Sequence, residues 1–102
     1  MKFKVPKKKF IKGEVWTTKY KWNLRCDDGD PCWGLCDQPD RVIWLDRMTV
    51  EDEKLPVYLH EEGHALIHEM GIMLPEEIEE ILVEAFARHF SKTYDMRPKK
   101  SK

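Results

Sequence analysis

The segment His60-Glu61-Glu62-Gly63-His64 constrains the fold of this 102-residue chain more than any other feature. Two histidines four positions apart lie about 40° apart around an α-helix and about 6 Å apart along its axis. Both imidazoles can therefore bind one metal ion only if this segment is helical. The glutamate next to the first histidine then reaches the position on the ion that the protein leaves open, where a general base is needed. The motif predicts a helix that carries most of a catalytic zinc site, with one further ligand from a second element.

The residues around the motif support a helix from Leu55 to Met70, with Gly71 as its C-cap. Pro56 is expected in the first turn, because a proline deeper in a helix breaks the hydrogen-bond ladder. Residues 49–54 are then a separate entry turn. Four apolar residues at helical spacing form the stripe that should face the core: Leu59, Leu66, Ile67 and Met70.

A second helix is predicted from Pro75 to about Tyr94, with four glutamates in its first turn, where carboxylates favour the positive end of the helix dipole. Glu84 lies within it between apolar residues, and an acid in such surroundings is costly unless it meets a cation. Zinc is the cation we expect, which makes Glu84 the predicted third ligand. Glu80 is the alternative ligand, and an exposed ion pair between Glu84 and Arg88 is the alternative to ligation.

Residues His60 to His68 resemble the HExGHxxxH run of the ImmA/IrrE-type metallopeptidases and their small phage-encoded relatives, which belong to the gluzincin group. The stretch from Glu84 to Phe90 is similar to the ExxAnxF signature of that family, whose leading glutamate is the third zinc ligand. Arg88 stands where asparagine is usual. Upstream, Gly34–Asp37 followed by Arg41–Asp46 resembles the hairpin that precedes the HExxH helix. The resemblance covers about residues 10 to 95 and implies a zinc peptidase that acts on a phage or host regulator protein.

In the mechanism expected from these roles, Glu61 takes a proton from a zinc-activated water and returns it to the leaving amine. The strand from Cys32 to Cys36 is the candidate for holding an extended peptide substrate by β-augmentation. His68 lies about 80° off the face of His60, which suits a supporting or packing role, and His89 is expected only to pack. Three residues are possible donors to the oxyanion: Tyr58, Tyr94 and Arg88.

Two other functions stay open at this stage. One is a binding module that holds zinc without turnover, since a domain this small has little room for a substrate cleft. The other is a nucleic-acid-associated protease of the SprT-like kind. The net charge is -1, and the basic residues at the two ends, Lys7–Lys9 and residues 99–102, form no continuous patch with stacking aromatics. A nucleic-acid partner is therefore not expected, and the oligomeric state is not predicted.

Length and composition predict one α+β domain over residues 1–96 and a basic disordered tail over 97–102. Strands are expected at Glu14–Trp22 and Arg41–Leu45, the latter paired with Cys32–Cys36 across a turn at residues 37–40. A small antiparallel sheet thus precedes the two helices, giving a minimal zincin-like architecture with the zinc between the helices.

The chain shows no stretch long enough for a membrane span and no secretory signal, so a cytoplasmic protein is expected, in the host cytoplasm if phage-encoded. Three cysteines, Cys26, Cys32 and Cys36, are an odd count for a disulfide framework. Buried or half-buried thiols on a hairpin are the default prediction. A second metal held by all three with a nearby aspartate is the alternative.

Overall fold

The computed structural model describes residues 4–99 and has the predicted α+β architecture, with strands followed by two helices. The elements are β1 (Lys8–Ile11), β2 (Glu14–Lys21), β3 (Gly34–Asp37), β4 (Val42–Asp46), α1 (Glu51–Glu69) and α2 (Glu76–Lys99). Sequence analysis located β2, β3 and β4 and both helices. It did not predict β1.

The sheet is mixed, with the order β1-β2-β4-β3. Two antiparallel hairpins, β1 with β2 and β3 with β4, join through a parallel pairing of β2 with β4. The prediction of a purely antiparallel sheet is therefore wrong. The parallel pairing is possible because the connection over residues 22–33 is long enough for a crossover. This connection also contains a tight turn, in which Cys26 N–H donates to the carbonyl of Asp30 at 2.9 Å.

The core lies between one face of the sheet and α1, and α2 packs on α1. Trp16, Ile43 and Leu45 contribute the sheet side and are at most 1% exposed. Glu69, at the end of α1, accepts hydrogen bonds from Trp16 Nε1 at 2.8 Å and from Arg41 Nε at 2.6 Å. These bonds fix the end of α1 to the sheet.

Helix α1 begins at Glu51, four residues before the predicted start, so residues 51–54 are helical and the separate entry turn is wrong. Pro56 is consequently the sixth helical residue, within α1 instead of in its first turn. At this position Pro56 removes one backbone hydrogen bond of the helix, and its ring crowds the carbonyl of Asp52. Three acids in its first turn favour the early start. At the other end, the C-cap is Met70, one residue before the predicted cap; Gly71 follows it with φ 70°, and its N–H donates to the carbonyl of His68 at 3.0 Å.

The predicted apolar stripe of α1 is only partly buried. Leu59 is 5% exposed, whereas Leu66 and Met70 are 37% and 49% exposed. Because α1 packs between the sheet and α2, residues on two of its sides are buried. Gly63 faces α2 so closely that an added Cβ would lie 2.9 Å from Val83 Cγ1. This close approach brings the histidines of α1 near the acids of α2.

Helix α2 continues to Lys99, beyond the predicted end near Tyr94 and into the predicted tail. The rest of that tail, residues 100–102, lies outside the described residues. Within residues 4–99, no helix is long and apolar enough to cross a bilayer.

Candidate metal centre

His60 and His64 lie one turn apart on the side of α1 that faces the start of α2. Their Nε2 atoms are 3.3 Å apart, with the ring centroids separated by 5.0 Å. Both side chains are mostly shielded from solvent, with 22% and 14% of their surfaces exposed. The helical spacing of the motif thus brings the two imidazoles together as predicted.

Glu80, in the second turn of α2, completes a three-residue cluster with the histidines. Its Oε1 lies 3.1 Å from His60 Nε2, and its Oε2 lies 2.8 Å from His64 Nε2. One ligand atom from each of the three residues lies within 4.8 Å of the other two. The residue that joins the histidines is therefore Glu80, the alternative third ligand of the sequence analysis.

Glu84, the predicted third ligand, contacts the opposite nitrogen of His60. Its Oε1 lies 2.9 Å from His60 Nδ1, and its Oε2 accepts a hydrogen bond from Arg88 Nε at 2.8 Å. The hydrogen bond with His60 is the main cause that lowers the pKa of Glu84. The exposed pair with Arg88 that the sequence suggested is thus present, together with the contact to His60.

Glu79 plays the matching part for the second histidine. Its Oε2 lies 2.5 Å from His64 Nδ1. Carboxylates that accept the Nδ1 proton of a histidine fix the ring and direct Nε2 toward a metal, and such pairs are common around metal ions. Sequence analysis missed Glu79. The signal that could have found it is that α2 carries acids one turn apart, so that one can reach each histidine.

The contacts at the centre of the cluster are unfavourable without a cation. If both Nδ1 atoms donate to Glu84 and Glu79, both Nε2 atoms carry lone pairs and face each other and the carboxylate of Glu80. The two Nε2 atoms and the Glu80 carboxylate are then three acceptors that lie 2.8 to 3.3 Å from one another with no proton between them. An ion with ligands at about 2.0–2.1 Å in tetrahedral geometry separates those ligands by about 3.3 Å, which is close to the observed distances. The donor set and its spacing therefore fit a metal ion.

Glu61 lies on the side of α1 that faces the sheet and is 9% exposed. Burial raises its pKa to about 7; the charge of Glu80 acts in the same direction, and that of His60 opposes it. The neighbouring strand approaches closely because Gly34 has no side chain. A Cβ at this position would lie 2.7 Å from Val57 Cγ1 and 3.0 Å from Glu61 Cγ. Gly34 is a second site residue that sequence analysis missed.

An open cavity of about 720 Å³ connects these groups. His60, Glu61 and His64 line one wall. The opposite wall is formed by β3 and the preceding connection, through Cys26, Asp27, Asp28, Gly34, Leu35 and Cys36. Leu74, Glu76, Glu79 and Glu80 close the end formed by the start of α2. The strand proposed from the sequence as a peptide holder thus borders the same space as the two histidines.

Tyr58 and Arg88, two of the three possible oxyanion donors, do not line this cavity. Tyr58 is 2% exposed in the core, where burial raises its pKa, and the Arg88 side chain is 74% exposed and bonded to Glu84. The side chain of Tyr94 lies outside the part of the chain that can be described. His68 and His89 are both exposed and do not line the cavity.

The three cysteines are half-buried and form no disulfide. Burial, followed by a hydrogen bond with Cys26, raises the pKa of Cys32 to about 12. Burial also raises the pKa of Cys36. Within residues 4–99, His60, His64 and Glu80 form a potential metal-binding group, and the cysteines do not.

Comparison of the chain with known protein families, curated proteins and solved structures found no match. The resemblance to ImmA/IrrE-type peptidases thus rests on the motif residues alone. The function must be argued from the site itself.

Proposed function

We propose that this chain is a zinc-dependent metallopeptidase of the gluzincin type. The observation that carries the proposal is the convergence of His60 Nε2, His64 Nε2 and the Glu80 carboxylate beside the buried carboxyl group of Glu61. A purely structural histidine pair would need neither three facing acceptors nor a buried acid next to them.

His60, His64 and Glu80 are the proposed ligands. Two histidines and one carboxylate are a donor set of catalytic zinc sites, in which the fourth position stays open. Zinc held by these residues would supply Lewis-acid chemistry, lowering the pKa of water at the open position to about 7 and polarising a carbonyl oxygen. Glu84 and Glu79 would orient the two imidazoles through Nδ1. Glu84 is the competing ligand that the family resemblance implies, and ligand variants decide between the two.

Glu61 is the proposed general base. A carboxyl group with a pKa of about 7 is half-ionised at neutral pH, so it can accept a proton and later donate it to the leaving amine. Its side chain lies between α1 and β3, in the space that Gly34 leaves free because it has no Cβ. A positioned acid or base of this kind typically contributes about 10² to 10⁴-fold in rate.

The edge strand β3 is the proposed holder of the substrate backbone. It pairs with β4 on one side, and no strand among residues 4–99 pairs with its other side. Leu35 and Cys36 of this strand border the cavity. An extended peptide added to this edge would pass along the wall that faces the histidines. The substrate class that this arrangement favours is an unfolded or extended segment of a protein, in keeping with the regulator substrate that the resemblance implies.

The test is hydrolysis of an unfolded protein and a panel of extended peptides by zinc-loaded protein. Glu61→Gln should lower activity by at least about 10²-fold while zinc content and fold stay unchanged. Glu62→Gln is the matched control, because Glu62 is the next glutamate of α1 and is bonded to Lys9 at 2.6 Å on the sheet side. Removal of zinc by a chelator should abolish cleavage.

Equal activity of Glu61→Gln and wild type would refute the mechanism. Tight zinc binding without cleavage of any substrate would favour the binding module.

A further inference from the structure

The sheet has one face that α1 and α2 do not occupy. Alternate residues of a strand point to opposite faces. Lys9, which bonds Glu62, and Gly34, which abuts Glu61, belong to the face that meets α1. Their neighbours Lys8 and Leu35 therefore belong to the opposite face, which we call the open sheet face.

Strand register groups the residues of the open sheet face into rows. Phe10 pairs with Val15 in one row, and Lys8, Thr17, Val42 and Asp37 follow in the next. Lys19, Trp44 and Leu35 form the third row, and Lys21 and Asp46 form the fourth. Basic and aromatic residues that the sequence separates by up to 36 positions thus share one surface.

This face carries one exposed aromatic ring, Phe10, and one half-buried ring, Trp44. Phe10 is 73% exposed, and its row partner Val15 is 45% exposed. Trp44 is half-buried, and Lys19 Nζ lies 5.9 Å from the centre of its ring. The rows of Phe10 and Trp44 are four residues apart along β2, which corresponds to about 13 Å. Phe10 therefore offers an open stacking position, and the ring of Trp44, partly covered by Lys19, lies in the third row.

The charge of the open sheet face is positive where it is accessible. Lys8, Lys19 and Lys21 are exposed, and within residues 4–99 none of them pairs with an acid. The two acids of the face are half-buried and bonded to backbone amides. Asp46 accepts from Leu24 N–H at 3.0 Å and from Met48 N–H at 2.8 Å, and Asp37 accepts from Asp40 N–H at 3.4 Å. The three lysines outnumber the two aspartates, so the face carries one net positive charge, with Asp46 directly opposite Lys21.

We propose that the open sheet face binds single-stranded nucleic acid. Lysines without an ion pair match the phosphates, and the exposed ring of Phe10, together with the partly accessible ring of Trp44, offers a surface for the bases, which is the combination that single-strand binders use. An acidic peptide would match the charge but has no use for flat exposed rings, and the bases of a duplex are stacked and inaccessible to them. The face lies across the sheet from the candidate metal centre, so this activity does not depend on the proposed peptidase function. Sequence order alone did not predict it, because only the strand register brings the lysines and rings together.

The test is fluorescence anisotropy of a labelled 12-nucleotide oligothymidylate with the full chain. Three lysine–phosphate contacts predict a slope of about -2 for log K against log salt, so affinity should fall about 20-fold from 50 to 200 mM salt. Lys19→Glu with Lys21→Glu should lower affinity at least about tenfold and flatten the slope, whereas Lys19→Arg with Lys21→Arg should retain both.

Stacking is tested separately with one aromatic residue. Phe10→Leu keeps an apolar side chain but removes the ring and should weaken binding at least about fivefold, whereas Phe10→Tyr should bind like wild type. His64→Ala should not change binding, and melting curves establish that each variant is folded.

Three results would overturn the proposal: no salt-dependent binding of the oligonucleotide, equal binding by the charge-reversed variant, or equal affinity for a duplex of the same length. Displacement of the oligonucleotide by polyglutamate at equal charge would assign the face to acidic peptides instead.

Discussion

Replacing Glu61 by glutamine should stabilise the metal-free protein, although it removes the proposed general base. Glu61 is buried, and burial raises its pKa from 4.5 in the unfolded chain to about 7 in the folded protein. The folded state therefore favours the neutral carboxyl group. Stability from this preference is fully present below about pH 4.5 and is lost as the pH rises through 7, because the buried group must then ionise.

The expected magnitude follows from the gap of about 2.5 between the two pKa values. At about 1.4 kcal/mol for each tenfold change, ionised Glu61 costs about 3 kcal/mol at pH 8 and about 1 kcal/mol at pH 5. Glutamine has nearly the same shape and cannot ionise. Glu61→Gln should thus be more stable than wild type by about 3 kcal/mol at pH 8, and the difference should shrink toward acid pH.

Urea unfolding at pH 5 and pH 8 in the presence of a chelator measures both values. With an m-value of about 1–3 kcal/mol/M, the midpoint at pH 8 should rise by about 1 to 3 M. Glu62→Gln is the matched variant, because it removes the next carboxyl group of α1, which is bonded to Lys9. If Glu61→Gln is no more stable than wild type at pH 8, or if the difference is the same at both pH values, then Glu61 is not held in the buried state described above.

Three further outcomes are expected. In calorimetry, chelation should lower the melting temperature of zinc-loaded protein by about 10 °C or more, since a ligand at a thousandfold excess over Kd contributes about 4 kcal/mol. A variant with both His60 and His64 changed to alanine should show no such effect. Gly34→Ala should destabilise the fold by about 1–3 kcal/mol in urea unfolding, because its Cβ would lie 2.7 Å from Val57 Cγ1. Adding Val57→Ala to the same chain should restore part of this stability. An unchanged urea midpoint in Gly34→Ala would contradict the packing. Cys32, with its pKa of about 12, should react with iodoacetamide at pH 8 at least about a hundredfold more slowly than free cysteine, and mass spectrometry should show the full rate only in urea.

Much of the fold could be predicted because local signals were strong. Gly71, which ends the helix just after its C-cap, and the apolar periodicity indicated α1, and alternating β-branched and aromatic residues indicated β2 and β4. The parallel pairing of β2 with β4 could not be predicted, because strand order depends on the path of residues 22–33 and not on local composition. The start of α1 was misjudged because Pro56 suggested a first turn, whereas the acids before it extend the helix.

Of the three proposed ligands of the candidate site, only the two histidines could be assigned from the sequence alone. Helical geometry requires His60 and His64 to converge, so their positions followed from spacing alone. The choice between Glu80 and Glu84 depends on the rotation and depth of α2 against α1, which Gly63 sets by its close contact with Val83 and which no local pattern encodes. One turn of helix separates the two glutamates.

Zinc affinity of matched ligand variants tests the central claim most directly. Competition with a chromogenic chelator should give one zinc ion per wild-type chain, and His64→Ala should abolish this binding. Glu80→Ala should weaken binding more than Glu84→Ala, for which a loss of about 10–100-fold is expected if Glu84 only orients His60. A larger loss in Glu84→Ala would make Glu84 the third ligand. Zinc binding by His64→Ala equal to that of wild type would contradict the account, because the site on α1 would then not be where the metal binds.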